Sequence, residues 1–206
     1  MRDFRRIDHY LNVLLADIYP QPLDKGHTDM TGQVIFNWVT RMDIKSVLDV
    51  GCGQGVAYPF FREVGVDYTG IALGEDVGVC LQQGIKVQQM DFHFLEFPDN
   101  SFDMVFSRHS LEHSPMPLLA LMEWERVARD FLCVILPNPE WFKWSGLNHY
   151  SVMHPNQIEF LMDRSGWNVM WSDFTEPQEL RYMCEKKRKS HYDMFIEAAQ
   201  LEAVPV

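Results

Sequence analysis

With 206 residues, 47% of them hydrophobic and 13% aromatic, the chain suits one domain with a continuous core. Its formal charge of −11 argues against a broad phosphate-gripping surface and so against RNA or DNA as the main partner; a small-molecule substrate fits better. Cys52, Cys80, Cys133 and Cys184 are scattered without a C-x-x-C pair, no run reaches the length of a membrane span, and the basic start Met1–Arg6 leads into Asp8, His9, Asn12 and Asp17 rather than a secretory apolar region, so the expectation is a cytoplasmic protein with reduced core thiols.

Taken in order, Ile7, Tyr10, Leu11, Leu14, Leu15 and Ile18 recur at helical spacing and predict an amphipathic helix over Phe4 to Ile18, stopped by Pro20 and Pro22. Thr28 is placed to cap a second helix through Val34, Ile35, Trp38 and Val39. This pair forms a helical cap over residues 1–45, outside the alternating part of the chain. Ser46 to Val50 reads as a buried strand that breaks into Gly51, Gly53 and Gly55, where the backbone can turn tightly and bring N–H groups close to a ligand. A helix over Val56 to Val64 tolerates Pro59 near its first turn.

Val66 to Leu73 is a second strand, Gly74-Glu75-Asp76 opens a short helix ending near Gly84, and Ile85 to Met90 is a third strand closed by Asp91-Phe92. Met104 to Ser107 is a fourth strand, a helix follows Pro115 and Pro117, and Phe131 to Leu136 is a fifth strand. Pro137 to Met153 is irregular and aromatic, with Trp141, Phe142, Trp144 and Tyr150, and is long enough to be functional. Pro155 to Ser165 is helical, Trp167 to Phe174 and Leu180 to Glu185 are strands, and 190–206 is a helical tail. Strands alternating with helices at this interval define a doubly wound, mostly parallel α/β sheet of seven strands, with helices on both faces. Ligands on such sheets bind beyond the carboxyl ends of the strands.

The pattern acid-x-G-x-G-x-G at Asp49 to Gly55 differs from the dinucleotide fingerprint and from the phosphate loop. It resembles the first motif of the class I S-adenosylmethionine-dependent methyltransferases, and the resemblance, of the methyltransferase type 11 kind, runs in order over roughly residues 45–188. It implies a Rossmann-like fold, S-adenosylmethionine as cofactor, S-adenosylhomocysteine as product and in-line methyl transfer to a small-molecule or metabolite acceptor. By the same resemblance Asp49, Gly51, Cys52, Gly53 and Gly55 hold the methionine end of the cofactor, Ala72 and Leu73 end the second strand beside the ribose, and Asp91 and Phe92 contact the adenine. Ser107 to His109, after the fourth strand, pass beneath the transferred methyl group.

At Ala72 the chain departs from the family, which carries an acidic residue there to bind the ribose hydroxyls; losing that acceptor costs on the order of 1–3 kcal/mol unless a neighbour such as Glu75 replaces it. The second reading, a non-catalytic domain that binds cofactor weakly, rests on this alanine. A hydroxyl or ammonium acceptor must lose a proton, and His109 and His149 are the candidate bases. Glu112-His113 recurs in the family and reads as structural. His109, His113, His149 and His154 show no metal-binding spacing, so no metal is expected. Asn138-Pro139-Glu140-Trp141 follows the fifth strand, not the fourth, and is set aside as a base-methylation motif. Lys186-Lys187-Arg188-Lys189 reads as a solvated strand end.

Overall fold

In chain order the elements are α1 (Arg5–Leu15), α2 (Lys25–Asn37), β1 (Ser46–Val50), α3 (Tyr58–Glu63), β2 (Asp67–Ala72), α4 (Glu75–Gln82), β3 (Val87–Gln89), β4 (Phe102–Arg108), α5 (Pro117–Val127), β5 (Ala128–Pro137), α6 (Pro139–Phe142), α7 (Pro155–Arg164), β6 (Trp167–Asp173) and β7 (Glu179–Lys186). They come from a computed structural model that describes residues 4–17, 23, 25–142 and 148–189. The helical tail expected over 190–206 and Trp144 lie outside the described residues.

The seven strands lie in the order β3-β2-β1-β4-β5-β7-β6. β1 pairs in parallel with β2 and with β4, and β5 continues in parallel beyond β4. Only β7 is reversed, antiparallel to both β5 and β6. The chain therefore builds β2 and β3 on one side of β1, then crosses to build β4 on the other. That reversal leaves a crevice above the carboxyl ends of β1 and β4.

Side-chain alternation explains why these strands read as continuous apolar runs. Leu48, Val50, Val105, Leu132, Val134, Tyr182 and Cys184 pack on one face with Trp124 and Trp167; Val47, Met104, Phe106, Cys133, Ile135 and Met183 pack on the other with Ile35 and Phe61. Both faces are covered, so both sets of positions must be apolar. All four cysteines are buried and free. Among the described residues no helix is long and apolar enough to cross a membrane.

Several boundaries differ from the sequence reading. α2 starts at Lys25, so Thr28 lies inside the helix rather than capping it, and Val39 falls in a separate 3-10 turn, Val39–Arg41. α3 starts at Tyr58, later than the expected Val56, with Pro59 in its first turn. The delay has a cause: Gly51, Gly53 and Gly55 all have positive φ, and residues that leave helical dihedrals this often cannot nucleate a helix between them. β3 shrinks to three residues, whereas β5 reaches back to Ala128, opposite Phe102 of β4, and on to Pro137, opposite Glu179 of β7, and β7 ends at Lys186, opposite Trp167 of β6. α6 occupies part of the run expected to be irregular. In α1 Leu11 is buried, but Phe4, Ile7, Tyr10 and Val13 are exposed, so the predicted helix forms without docking all of its apolar residues.

Candidate active site

The loop after β1 is built by hydrogen bonds and by the absence of side chains. Gly51 N and Cys52 N both donate to Ile71 O at 3.0 Å, which folds the loop over the end of β2. Gly51 has φ +72°, and a Cβ there would lie 2.0 Å from Ser110 Oγ; at Gly55, φ +85°, a Cβ would lie 2.5 Å from Ile85 Cδ1. Gly51 therefore requires glycine on conformational and on steric grounds, and Gly55 on conformational grounds, since the end of the Ile85 side chain can shift. Ser110 Oγ donates to Val50 O at 3.1 Å, and Ser107 Oγ donates to the same carbonyl at 3.1 Å. The loop after β4 is thereby fastened to the glycine loop.

These two loops and the ends of β2 and β3 enclose a pocket of about 250 Å³. Of the residues expected to bind cofactor, Gly51, Gly53, Ala72, Leu73 and Phe92 line it, as does the expected base His109. Asp49, Cys52, Gly55, Asp91, Ser107 and the second expected base, His149, are not among its lining residues. Asp91 is occupied elsewhere: its Oδ1 accepts from His93 N at 2.9 Å and lies 2.7 Å from His93 Nδ1, while His93 Nε2 lies 2.7 Å from Ser114 Oγ. Arg126 braces the loop after Asp91 through Leu95 O and Phe97 O, both at 2.8 Å, and holds the region of Phe92 in place.

The wall also contains Glu75, the neighbour considered as a replacement for the missing acceptor at Ala72, and residues that the sequence reading did not assign. Met90 and Ile71 are apolar; Glu75 and Asp76 are acidic and stand in the first turn of α4. Asp76 is buried, and Gln54 Nε2 of the glycine loop donates to its Oδ1 at 3.0 Å. Two carboxylates thus flank the position where Ala72 lacks one. Their proximity to Ala72 follows from the turn at Gly74, with φ +63°, which places α4 directly above the end of β2.

Asp49 lies beneath the loop, 3% exposed, and Tyr68 Oη donates to its Oδ2 at 2.6 Å. Burial pushes its carboxyl up to about 7 despite the opposing bond from Tyr68. The folded protein therefore retains a proton here that the unfolded chain releases in the ordinary carboxylate range. Folding binds protons between those limits, so stability from this group falls as pH rises through that window and is lowest above about pH 7. Removing the titration with Asp49→Asn, which keeps an acceptor for Tyr68, is expected to help the variant relative to the parent by roughly 2–3 kcal/mol more at pH 8 than at pH 5. Urea unfolding at the two pH values measures this; an equal difference at both would remove the role given to burial.

At the opposite end of the pocket His109 adopts φ +51°, which aims its ring across the ends of β5 and β7. Its Nε2 lies 3.4 Å from Glu179 Oε1. Arg108 Nε donates to the same oxygen at 3.0 Å, and Arg181 Nε donates to Glu179 Oε2 at 2.9 Å. Burial raises the Glu179 carboxyl, but the bond from His109 and the charges of Arg108 and His109 outweigh it and hold the group at about 2. Glu179 is thus a permanent buried carboxylate behind His109. A lone acidic residue at the mouth of an apolar strand was its only trace in the sequence; its partner Arg108 is 71 residues away.

The remaining histidines divide. His113 Nδ1 donates to Asn148 O at 3.2 Å, and its ring meets that of His149 edge-on at 4.8 Å between centroids. Burial, assisted by His149, pushes His113 down to about 4, and burial lowers His149 as well. Asn148 Nδ2 donates to Asp17 O at 2.6 Å, tying the segment after α1 to the pocket. His154 stands apart, capping α7 with Gln157. Glu112 is 1% exposed in the 3-10 turn Leu111–His113.

A sheet with only its sixth-ranked strand reversed, a glycine loop closing β1 and a pocket at the crossover between β1 and β4 define a Rossmann-like domain of the methyltransferase type. A family model described as a methyltransferase domain matches residues 48–130. Over this stretch the chain is similar to the class I S-adenosylmethionine-dependent methyltransferases. It is 32% identical over 109 residues to a ubiquinone biosynthesis O-methyltransferase of Aeromonas salmonicida, covering 47% of this chain and 45% of that protein. It is 28% identical over 148 residues to the enzyme of the same name from Hahella chejuensis, covering 66% of this chain and 59% of that one. The chain thus spans about half the length of the curated relatives it matches. Among solved structures, magnesium protoporphyrin IX methyltransferase from Synechocystis, with bound S-adenosylhomocysteine, superposes with a TM-score of 0.63 at 15% identity, over 90% of this chain and all of that one. That likeness concerns the fold.

Proposed function

We propose that the chain is a cytoplasmic S-adenosylmethionine-dependent methyltransferase that methylates a hydroxyl of a small-molecule acceptor. The observation that carries this reading is one pocket running from the glycine loop at Gly51 and Gly53 to His109, which is backed by the buried carboxylate of Glu179. The names of the relatives support an oxygen acceptor, the net charge of −11 supports a small molecule over nucleic acid, and four buried free thiols suit a reducing compartment.

The cradle fits the cofactor. A Cβ at Gly51 would occupy space that the loop keeps clear, Glu75 and Asp76 are acceptors for ribose hydroxyls, and Met90, Ile71 and Phe92 form an apolar slot for the adenine. When bound, S-adenosylmethionine supplies a methyl group already activated on a sulfonium. The protein's own work is to align the acceptor, exclude water and manage one proton. His109 accepts the proton of the acceptor hydroxyl, and Glu179 orients the ring and stabilises the imidazolium that results. The non-catalytic reading loses its main support, because Glu75 and Asp76 face the place that Ala72 leaves without an acceptor.

Calorimetry with S-adenosylhomocysteine tests the proposal. The parent chain is expected to bind it, and Glu75→Gln to weaken binding roughly ten- to hundred-fold. No binding by the parent overturns the proposed function; full affinity in both Glu75→Gln and Asp76→Asn overturns the assignment of the ribose to these carboxylates.

A further inference from the structure

We propose that Glu112, His113 and His149 form a binding site for one divalent transition-metal ion of the zinc type, at the acceptor end of the pocket. One ligand atom from each of the three lies within 4.8 Å of the others. Two of these side chains carry buried atoms with no hydrogen-bond partner, Glu112 Oε2 and His149 Nδ1. A buried carboxyl oxygen and a buried imidazole nitrogen left bare cost free energy in the absence of a ligand, and a cation satisfies both.

The third member is set up in the manner of a metal ligand. His113 Nδ1 donates to Asn148 O, which fixes the tautomer and leaves the lone pair on Nε2. The two chain segments that bring the ligands together are stapled, with Ser151 N donating to Glu112 O at 2.8 Å and Ser151 Oγ donating to Ser114 O at 2.5 Å. This holds the backbone two residues beyond His149 against the turn that carries Glu112 and His113. Two imidazoles and one carboxylate suit zinc and its first-row neighbours, and three protein ligands leave a coordination position open. In a tetrahedral site the ligand atoms stand about 3.3 Å apart, so closure takes at most ~1.5 Å of side-chain movement.

His113 is the ligand that lines the pocket, so the cluster borders the cavity. A bound ion would there supply Lewis-acid polarisation of the acceptor oxygen, while His109 takes the proton. This role rests on the proposed methyl transfer; the metal site does not. Positions 112, 113 and 149 match no linear metal motif, which is why the sequence reading expects no metal.

The test uses the purified full chain, stripped with a chelator and titrated with Zn²⁺, with Co²⁺ as a spectroscopic probe. The expected result is one equivalent of zinc bound, intense visible absorption from Co²⁺ as for a low-coordinate site, and affinity lowered at least ten-fold in both Glu112→Gln and His149→Gln. Thermal melts of the metal-free variants confirm that they fold, and His154→Gln, remote from the cluster, is expected to keep parental zinc affinity. No stoichiometric zinc binding, or parental affinity in both cluster variants, overturns the inference. Because zinc and S-adenosylhomocysteine are titrated separately, binding of the nucleoside without zinc defeats only the metal site, and binding of zinc without the nucleoside defeats only the proposed function.

Discussion

His109→Asn is expected to lower kcat by roughly 10²–10⁴-fold while leaving the affinity for S-adenosylhomocysteine within about threefold of the parent. The split follows from position. His109 lines the pocket on the side of β4 and β7, whereas Gly51, Gly53, Glu75 and Asp76 line the part assigned to the cofactor. Its Nε2 faces Glu179, which is locked between Arg108 and Arg181 and held ionised, so the imidazole has an orienting partner that does not itself take the proton. Glu179→Gln tests that pairing. It is expected to lower kcat less than His109→Asn does, and to destabilise the fold, because Arg108 loses its carboxylate partner and Arg181 keeps only Asp173, 3.7 Å away. Single-turnover rates under saturating cofactor give the comparison. A His109→Asn enzyme with parental kcat would overturn the assignment of His109 as the base.

Gly51→Ala is expected to reduce S-adenosylhomocysteine affinity at least a hundred-fold and to cost roughly 2–4 kcal/mol of stability. Part of the cost is the left-handed backbone, about 1–2 kcal/mol for a residue with a Cβ. The rest is the collision with Ser110 Oγ, the group that fastens the β4 loop to Val50 O and is worth about 1 kcal/mol as a hydrogen bond. The double variant Gly51→Ala/Ser110→Gly separates the two, since it removes both Ser110 atoms nearest the new Cβ. It should regain part of the stability, while the backbone strain persists. Calorimetry and denaturant melts on the three variants provide the measurement; parental affinity in Gly51→Ala would show that this loop does not cradle the cofactor.

Much of the scaffold was legible because each strand carries its own signal. The seven strands and their alternation with helices follow from local apolar runs, and Gly51 to Gly55 marks the turn at the end of β1. Boundaries failed where a neighbour decides them. Thr28 has the chemistry of a cap, yet the helix begins at Lys25, and β7 runs to Glu179 because β5 offers it partners as far as Pro137. Ile7 and Tyr10 have the spacing of a buried helix face, but burial needs a surface to dock on, and both remain exposed.

The pocket shows the same division. Gly51, Gly53, Ala72, Leu73, Phe92 and His109 stand on local motifs and line the cavity; Asp49 and Ser107 stand on the same motifs but turn into the sheet, toward Tyr68 and Val50 O. Alternation along a strand sends neighbouring side chains to opposite faces, and which face meets the crevice depends on how the strands are ordered. By itself the sequence determined the alternating α/β architecture, the glycine loop and the resemblance to the methyltransferases, because these reside in short-range periodicity and in motifs a few residues long. Only the tertiary structure decided that Glu179 backs His109, that Glu75 and Asp76 stand beside Ala72, and that Glu112, His113 and His149 converge. Those groups come from segments tens of residues apart, and the distances between them are set by strand order and by the turns that end each strand, quantities that no local pattern encodes.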